Sequence, residues 1–555
     1  MLPTRPPSAD LARSYRDTGQ WKDLTIGHFL SRAAKLYPDA TAVIDNDRRV
    51  TFADVERDAT RLAAALSARG VTADDVVSFQ LPNCAEAVVV FHAIMKIGAV
   101  ANPIVPIYRH RELRFILGQS EAKVVFVPCE LRGVDVDAMY RELAAELPHL
   151  ELVVSLAPNG HFVPWTTLLD QVTDEMVATL DDLPSPSADD VALLLYTSGT
   201  TADPKGALHS HNTLVFENMS MIEWFGLNEM DVVFNPSPVT HVTGVNCALV
   251  LPFLLGTAVV LQDEWDPATA LRRIVDERCS FMIFSTPFLR GLLDAAESAD
   301  MPTPSIRYIV CGGADVPDSL TKAATTRLGT TVRMYGATEG PSVTTATRWD
   351  SLNARTNTDG RPIGPTEVVV LDSAGKPVRT GETGEIHWRG PDTFLGYLDA
   401  SLNESAFTSD GFFRTGDLGR FDDNGFLQVV GRIKDIINRS GEKISTHDVE
   451  NQLGEHPAVM EVAVVAGPDS QTGERGCAFV VTRDHRDLPL DEVQTFLLDR
   501  QIAVQKIPES IFVVDSLPKT ASGKIQKFAL RDWTRDRSTL PPQMTAMTFA
   551  ASHER

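Results

Sequence analysis

Short apolar runs alternate with longer, helix-compatible segments along the first two thirds of the chain. The runs are five or six residues long and rich in Val, Ile and Phe, and they occupy residues 76–81, 123–127, 281–285 and 307–311. Runs of this length between helical segments are typical of buried strands in parallel sheets. In Ala85–Ile97, apolar residues recur at helical spacing after a polar entry. The pattern from 76 to 127 therefore predicts a strand, helix, strand unit.

The pattern changes near Thr366. Residues 368–371 and 385–388 are separated by turns rich in Asp, Ser, Gly and Pro, which predicts antiparallel hairpins instead of helix-linked strands. From Gly431 onward the apolar runs shorten and charged residues become denser between them. This second pattern predicts a small terminal α+β domain. The last residues are rich in Met, Ala and Thr, and we expect them to be poorly ordered.

The composition narrows the class of protein. A chain of 555 residues exceeds the size at which one core stops growing, so we expect at least two domains. Hydrophobic residues at 43% and charged residues at 23% are typical of a globular enzyme and exclude a disordered or fibrous chain. The net charge of -23 disfavours nucleic acid and anionic membranes as partners. The sequence leaves homo-oligomerisation open.

No segment indicates export or membrane insertion. The N-terminus carries Arg5, Asp10 and Arg13 without an apolar core, so we do not expect it to be a secretory signal. The longest apolar stretch, residues 248–261, contains Pro252 and is shorter than the roughly 20 residues that cross a bilayer. The six cysteines form no C-x-x-C pair and no His/Cys cluster. We therefore expect a cytoplasmic protein with no integral membrane segment and with structural thiols.

The most informative stretch is residues 193–206, where an apolar run breaks into hydroxyls and glycines and ends at Lys205 and Gly206. Hydroxyl and backbone N–H donors can face phosphate oxygens, and a lysine adds positive charge. The spacing differs from the G-x-x-x-x-G-K-[ST] pattern, so a P-loop ATPase is disfavoured. Taken alone, the composition also fits an ordinary surface loop.

Several segments together resemble the signature of the adenylate-forming superfamily of acyl-CoA synthetases. They lie in the family's order at residues 196–201 with 204–206, 335–339, 414–417, 431–435 and 518–524. Each segment is weak alone, but the set spans most of the chain. One departure is Ala202, where many relatives have glycine.

The resemblance implies an α/β fold with a defined division. Residues 1–430 would form a large N-terminal adenylation domain with two α/β subdomains and a β-rich one. Residues 431–436 would form a hinge, and residues 437–555 a small, mobile α+β lid domain.

The resemblance also implies how ATP would be held. The loop from Thr197 to Lys205, the phosphate loop, would bind the β- and γ-phosphates. Tyr335 would pack on the adenine, Thr338 would bond the α-phosphate, and Glu339 would coordinate Mg²⁺. The implied ATP- and AMP-binding residues are Thr197, Ser198, Gly199, Thr200, Thr201, Lys205, Gly312, Gly313, Ala314, Tyr335, Gly336, Asp417 and Arg432. Alternatives from the residues themselves are a solvated turn for Glu339, a turn-forming role for Asp417 and a surface ion pair for Arg432.

The resemblance assigns catalysis to Lys524 together with Thr338 and Glu339. Lys524 would bridge the substrate carboxylate and the α-phosphate, which requires the C-terminal domain to close over the first domain. That domain would then rotate about Lys434 and present a CoA-binding loop. The implied CoA-binding residues are Ser440, Gly441 and Lys443. An exposed lysine without a hinge role is an equal alternative for Lys434.

The resemblance implies a two-step ligase that takes a small-molecule carboxylic acid, ATP, Mg²⁺ and CoA. Loading of an acyl carrier protein is an alternative, as is a non-catalytic nucleotide-binding regulator, although Lys524 and Glu339 are present. His241 lies in a segment that resembles the acyl-pocket lining, and a structural core histidine is equally common. Its neighbours Phe234, Val239 and Val245 include no second cation. A monocarboxylic acid of medium-chain, alicyclic or aryl type is therefore favoured.

Overall fold

The chain divides into two compact units in a computed structural model. The model describes residues 2–128, 130–131, 133–197, 204–299, 306–313, 316–440, 442–483, 486–520, 525–536 and 547–550. One unit is Met1–Val368 with Trp388–Phe413, and the other is Val369–His387 with Arg414–Arg555. Helices and strands mix in both units, and the first unit is the larger, which confirms the predicted fold class. The boundary expected at residues 431–436 stays a prediction.

Two sheets dominate the first unit. Its strands, in chain order, are β1 (Thr41–Asp45), β2 (Arg48–Thr51), β3 (Val76–Phe79), β4 (Val100–Pro103), β5 (Val124–Val127), β6 (Leu152–Ser155), β7 (Val163–Pro164), β8 (Val191–Thr197), β9 (Lys205–Ser210), β10 (Val233–Asn235), β11 (Val259–Leu261), β12 (Phe281–Phe284), β13 (Ile306–Gly312), β14 (Gly329–Ala337), β15 (Gly340–Thr345) and β16 (Arg361–Pro362). One sheet has the order β7-β6-β5-β3-β4-β8-β9 and the other β16-β15-β14-β13-β12-β10-β11-β1-β2. Both are parallel in the middle, as expected for two α/β subdomains; the first is antiparallel at one end and the second at both ends.

Helices connect and cover these strands. They are α1 (Ala9–Asp17), α2 (Ile26–Leu36), α3 (Phe52–Ser67), α4 (Ala85–Ile97), α5 (His110–Ser120), α6 (Val136–Glu146), α7 (Trp165–Asp170), α8 (Asp174–Ala178), α9 (His211–Phe225), α10 (Val242–Gly244), α11 (Leu251–Leu255), α12 (Pro267–Asp276), α13 (Thr286–Ser298), α14 (Asp318–Arg327), α15 (Leu352–Asn357) and α16 (Asn403–Ala406). No helix in the described ranges is long and apolar enough to cross a membrane.

The predicted strand, helix, strand unit exists, but the strand that follows the helix is β4 and not the predicted strand at residues 123–127. Helix α4 runs over Ala85–Ile97 as predicted, and it is followed by β4, which pairs in parallel with β3. The strand expected at 123–127 is β5, which pairs with the other edge of β3. Strand β4 escaped prediction because its four residues include Asn102 and Pro103, which strands disfavour.

Burial explains why α4 carries little polar surface. Of its residues only Glu86 and Lys96 are not fully buried, because the helix lies within the main apolar core of the first unit. A helix that is apolar on all sides is a core helix. Residues 248–261 are likewise core: they contain part of a π-helical turn at Val245–Val250, then α11, and β11, and nearly all of them are buried.

The second unit is smaller and richer in antiparallel pairs. A four-stranded sheet has the order β17 (Glu367–Leu371), β18 (Gly384–Arg389), β19 (Phe413–Phe421) and β20 (Leu427–Arg432). The next strands are β21 (Ile436–Arg439), β22 (Glu442–Ser445), β23 (Val459–Asp469), β24 (Gly473–Thr482), β25 (Ser510–Val514) and β26 (Met547–Ala550), accompanied by α17 (Thr446–Gly454), α18 (Leu490–Asp499) and α19 (Lys527–Arg535). The expectation of a poorly ordered tail was wrong for β26, whose backbone pairs with β25.

Candidate active site

The two ends of the predicted phosphate loop lie side by side in the first unit. Thr197 at the end of β8 faces Lys205 at the start of β9 in the antiparallel pair of these strands. The predicted phosphate-binding residues between them, Ser198, Gly199, Thr200 and Thr201, lie outside the described residues, as does Ala202. A threonine and a lysine thus stand at the mouth of the loop, where phosphate binding needs donors and positive charge.

The predicted catalytic residues Thr338 and Glu339 form the tip of a hairpin. Strand β14 ends at Ala337, β15 begins at Gly340, and these two residues pair, so Thr338 and Glu339 are its two connecting residues. Gly336 allows the strands to approach at this point. A side chain there would place its Cβ 2.0 Å from the carbonyl oxygen of Pro341, closer than any real contact.

Three hydrogen bonds from distant segments hold this turn. The carbonyl oxygen of Thr338 lies 2.7 Å from Nε2 of His209 on β9. The carbonyl oxygen of Glu339 accepts from the backbone N–H of Phe394 at 2.9 Å. Tyr397 donates its hydroxyl to Oε1 of Glu339 at 2.5 Å. Both peptide carbonyls of the turn and its carboxylate are therefore fixed by other parts of the first unit.

The segment that contacts Glu339 is itself bound to β9. The N–H of Leu395 donates to the carbonyl of Leu208 at 2.7 Å, and the N–H of Leu398 donates to that of Gly206 at 2.8 Å. Gly206 and Leu208 are the first and third residues after Lys205 along β9. The strand that carries the phosphate-loop lysine thus also places Tyr397 against Glu339.

Lys205, Tyr397 and Glu339 form a connected series. The ammonium of Lys205 lies 5.1 Å from the centroid of the Tyr397 ring, within the range of a cation–π interaction. Burial raises the pKa of Tyr397, and the neighbouring Glu339 carboxylate raises it further. The phenol therefore keeps its proton and acts as a donor. A cation, a hydroxyl and a carboxylate meet here, as is typical of a site that handles anionic phosphates.

The residues expected around the adenine lie at the same edge of one sheet. Strands β13 and β14 are parallel neighbours, so the turn after β13 lies beside the turn after β14. Gly313 has a φ of 74°, a conformation that favours glycine. Tyr335 meets Trp388 edge to face, with ring centroids 5.7 Å apart. These positions fit a role at adenine, which stays a prediction, and Ala314 lies outside the described residues.

Among the described residues of this site, Glu339 offers one carboxylate to a divalent cation. The described residues contain no group of three or more His, Cys, Asp and Glu side chains that could hold a metal ion. Mg²⁺ is usually bound by one or two carboxylates together with substrate phosphates instead of by a cage of protein ligands. Glu339 on its braced turn fits that mode of binding.

The acyl-pocket candidate His241 begins a helix. Its Nδ1 accepts a hydrogen bond from the N–H of Thr243 at 3.3 Å, so the side chain caps α10. Its suggested neighbours Phe234, Val239 and Val245 are fully buried. A π-helical turn follows α10, and such turns are frequent at functional sites. These contacts give His241 a structural role and leave its acyl-pocket role a prediction.

A second pair of acidic residues lies buried in the first unit. Glu217 on α9 accepts from the hydroxyl of Ser342 at 2.5 Å. Its other oxygen and both side-chain oxygens of Asp392 have no hydrogen-bond partner among the described residues. Burial raises the pKa of both carboxyls, and Asp392 raises that of Glu217 further. Patterns along the sequence gave no sign of this pair, since neither residue belongs to a recognised motif.

The ribose candidates lie together in the second unit. Asp417 and Arg432 face each other across β19 and β20, and Nε of Arg432 is 2.7 Å from Oδ1 of Asp417. Asp417 is 7% exposed and Arg432 is 40% exposed, so the pair is not a purely surface interaction. The Asp417 N–H donates to the hydroxyl of Thr415 at 2.8 Å. The pair is preformed, and its contact with ribose stays a prediction.

The predicted hinge and CoA-binding residues are described in part. Lys434 is exposed and lies in a short 3₁₀ turn at Ile433–Asp435. Ser440 follows β21 with a φ of 52° and Lys443 lies on β22, while Gly441 lies outside the described residues. Because Ser440 directly follows Arg439, which pairs with Glu442, it lies where a short hairpin connection begins, and such connections favour positive φ.

Lys524 lies outside the described residues, but the ends of its segment are described. Lys519 and Ile525 form an antiparallel bridge, and the ammonium of Lys519 lies 2.6 Å from Glu461.

Among the contacts that sequence patterns missed, His209 and Tyr397 are the most informative. Gly396 before Tyr397, in an otherwise apolar segment, was the only available signal.

Comparison with known proteins identifies the family. The AMP-binding enzyme family model matches residues 30–398, and the model for the AMP-binding enzyme C-terminal domain matches residues 448–524. The medium-chain fatty-acid–CoA ligase of Escherichia coli K12 is 34% identical over 521 residues, which cover 93% of this chain and 92% of that protein. The salicyl-AMP ligase/salicyl-S-ArCP synthetase of Mycobacterium tuberculosis H37Rv is 34% identical over 540 residues, or 95% and 93% of the two chains.

A solved structure agrees with these matches. ATP-bound MatB from Rhodopseudomonas palustris superposes with a TM-score of 0.82 and 26% identity, covering 93% of this chain and all of the other. The chain therefore belongs to the AMP-binding enzyme family of the adenylate-forming superfamily, and it is an AMP-forming acid–thiol ligase that uses ATP to adenylate a carboxylic acid.

Proposed function

We propose that the chain is an ATP-dependent carboxylic acid–CoA ligase. In the first step a carboxylate oxygen attacks the α-phosphorus of ATP, and the bond to pyrophosphate breaks to leave an acyl-adenylate. In the second step the thiolate of CoA attacks the acyl carbon, and AMP leaves as the thioester forms. The observation that carries the proposal is the series Lys205, Tyr397 and Glu339 beside the phosphate-loop mouth.

Each predicted site residue has a task in this reaction. Lys205 and Thr197, with the loop between them, would hold the β- and γ-phosphates, and Thr338 would bond the α-phosphate. Glu339 would ligate a Mg²⁺ ion that neutralises phosphate charge. Asp417 and Arg432 would bind the ribose. Lys524 would stabilise charge as the carboxylate attacks, and Ser440, Gly441 and Lys443 would line the CoA path with Lys434 as the hinge.

The acid is proposed to be a monocarboxylate of medium-chain, alicyclic or aryl type. The stretch from 206 to 271 contains no Lys or Arg, and it includes α9, His241 and the π-helical turn. A second carboxylate would find no cation on these elements. The Escherichia coli relative is named for a medium-chain fatty acid and the Mycobacterium tuberculosis relative for salicylate, which support this range.

A carrier protein is the second candidate acceptor. The Mycobacterium tuberculosis relative is named as a salicyl-S-ArCP synthetase, so the thiol in that enzyme belongs to a carrier. A non-catalytic regulator is a third candidate, which the presence of Glu339 and Lys524 disfavours.

Pyrophosphate release from ATP and Mg²⁺ tests the proposal. Octanoate, cyclohexanecarboxylate, benzoate and salicylate would each be supplied with and without CoA. Lys524→Ala should abolish release, whereas Lys519→Ala is the matched control because that lysine pairs with Glu461. Acid-dependent release with acyl-CoA formed only when CoA is present supports the ligase. Release without CoA consumption points to a carrier acceptor, and ATP binding without any release points to a regulator.

A further inference from the structure

Two buried histidines lie two residues apart, and only one of them reaches the catalytic turn. His209 is fully buried on β9, with Nε2 at 2.7 Å from the carbonyl oxygen of Thr338 and Nδ1 at 3.2 Å from the hydroxyl of Thr213. His211 begins α9, and its Nδ1 accepts from the N–H of Ile26 at 3.2 Å. The second histidine therefore supplies a natural comparison for the first.

The chemistry of its partner fixes the role of His209. A carbonyl oxygen only accepts hydrogen bonds, so Nε2 must carry a hydrogen and donate it to Thr338. Burial lowers the pKa of His209 to about 4, although the Thr338 carbonyl opposes this shift. The ring is therefore neutral near pH 7, with its hydrogen on Nε2 and the lone pair on Nδ1. His209 acts as a fixed, uncharged donor.

The turn that it contacts needs support from outside. Two-residue hairpin connections prefer positive φ at one or both central residues because this matches the twist of the strands. Neither Thr338 nor Glu339 has positive φ. The pairing of β14 and β15 also shifts register between Tyr335 and Ala337. Local hairpin geometry alone therefore does not fix the peptide that joins Thr338 to Glu339.

We propose that His209 is a positioning residue for Thr338 and Glu339 in adenylation. By holding the Thr338 carbonyl, it sets the plane of the peptide between these two residues and hence the directions of both side chains. Phe394 and Tyr397 donate to Glu339, and His209 supplies the contact to the carbonyl of Thr338. The proposal rests on the roles given above to Thr338 and Glu339.

Side-chain replacements at position 209 test the donor directly. His209→Leu removes it, His209→Gln keeps a donor of similar reach, and His209→Asn keeps a polar amide that is too short. With MgATP and the fastest acid of the panel, kcat/KM for MgATP should fall about 10²-fold in His209→Leu, because small misplacements of catalytic groups have effects of that size. His209→Gln should recover most of this loss and His209→Asn little.

His211→Leu is the matched control for loss of a buried histidine. All variants would be compared below their melting temperatures, with calorimetric binding of MgATP and of ATP in EDTA as a second readout. We expect His209→Leu to weaken MgATP binding more than metal-free ATP binding, and His211→Leu to weaken neither selectively. Equal losses in His209→Leu and His211→Leu, or equal activity in the Gln and Asn variants, would overturn the proposal. The Gln and Asn comparison decides the case if the Leu variant does not fold.

A double variant separates this inference from the proposed function. If His209 acts through the turn, His209→Leu should reduce the rate of a Glu339→Gln enzyme by less than about threefold, since coupled residues are not additive. Fully additive losses contradict the inference. If Glu339→Gln alone has wild-type adenylation, the proposed role of Glu339 is wrong; if only His209→Leu is normal, the inference alone is wrong.

Discussion

Glu339 and Glu217 are two glutamates of the same unit with the same short contact and different surroundings. Each accepts a hydroxyl hydrogen bond at 2.5 Å, Glu339 from Tyr397 and Glu217 from Ser342. Glu339 is partly exposed on a turn, and Lys205 lies over the ring of its partner. Glu217 is 2% exposed, and the charge of Asp392 raises its pKa further.

The difference shows that one short hydrogen bond does not decide what a carboxylate can do. Desolvation and the nearest charge dominate, because both act on the ionised form directly. The environment of Glu339 suits metal and phosphate chemistry. That of Glu217 opposes ionisation, so Glu217 should affect stability and leave catalysis unchanged. The same Glu-to-Gln change should therefore lower the adenylation rate at position 339 and leave it unchanged at position 217.

The largest effect is expected at the turn. Glu339→Gln keeps the shape and removes the charge, so kcat for acid-dependent pyrophosphate release should fall about 10²- to 10³-fold, as for loss of a preorganised electrostatic group. Glu217→Gln is the matched control and should retain the wild-type rate. Steady-state assays of both purified variants check this. Similar rates for the two variants would contradict the proposed difference between a catalytic Glu339 and a structural Glu217.

Tyr397→Phe should give the next largest effect. A hydrogen bond to a carboxylate contributes about 1.5 kcal/mol, so its loss should reduce adenylation about tenfold. Lys205 keeps an aromatic ring beneath it, which confines the change to the hydroxyl. Tyr140→Phe provides the control, because Tyr140 is a buried tyrosine that donates to Gln80 at 2.8 Å outside the candidate site. If Tyr140→Phe also reduced adenylation tenfold, the effect would come from the loss of any buried tyrosine hydroxyl and not from the contact with Glu339.

Glu217→Gln should raise stability at alkaline pH. Burial, reinforced by Asp392, raises the pKa of Glu217 to about 8. A carboxyl with a raised folded-state pKa contributes stability that is fully present below its ordinary pKa and is lost as pH rises through the folded value. We expect the variant to have the larger free energy of unfolding at pH 8, and we expect this difference to shrink as the pH falls and to vanish below the ordinary carboxyl pKa of about 4.5. Urea unfolding across this range is the measurement; a pH-independent difference would contradict the account.

Asp392→Asn should have the smallest effect and shows which cause dominates. Removing its charge relieves the Coulomb part of the shift in Glu217 and also the burial cost of ionising Asp392 itself, but the buried amide that replaces it offsets part of this gain, since neither side-chain oxygen of Asp392 has a hydrogen-bond partner among the described residues. We expect a gain at pH 8 below about 1 kcal/mol, with a continued loss of stability as pH rises. If the stability of this variant did not change with pH, repulsion by Asp392 would raise the pKa of Glu217 more than burial does.

Much of the fold was predictable because its signals are local. Helix α4 and strands β3, β5, β12 and β13 follow from apolar runs and their spacing. Strand β4 was missed because its pairing with β3 outweighs the poor strand preference of Asn102 and Pro103. The tail strand β26 was missed for a similar reason, since only pairing with β25 reveals it.

The site was predictable only where a motif carries it. Thr338, Glu339, Asp417 and Lys205 lie in recognisable segments, and their roles stay predictions; the hairpin tip at Thr338 and Glu339 and the ion pair of Asp417 with Arg432 are known only from the structure. His209 and Tyr397 contact the turn across 129 and 58 residues of chain, and periodicity contains no information on such pairs. Glu217 falls on a helix, where a glutamate ordinarily indicates a solvated face.

The bracing of the turn has a consequence for biosynthesis. The donor to the Glu339 carboxylate lies 58 residues further along the chain, and the donor to its carbonyl lies just before that. A growing polypeptide that ends before Phe394 has the whole phosphate loop and both turn residues but lacks these two contacts. The braced geometry of the turn should therefore form late in synthesis, after most of the first unit has left the ribosome, and chains truncated before Phe394 should leave cellular ATP untouched.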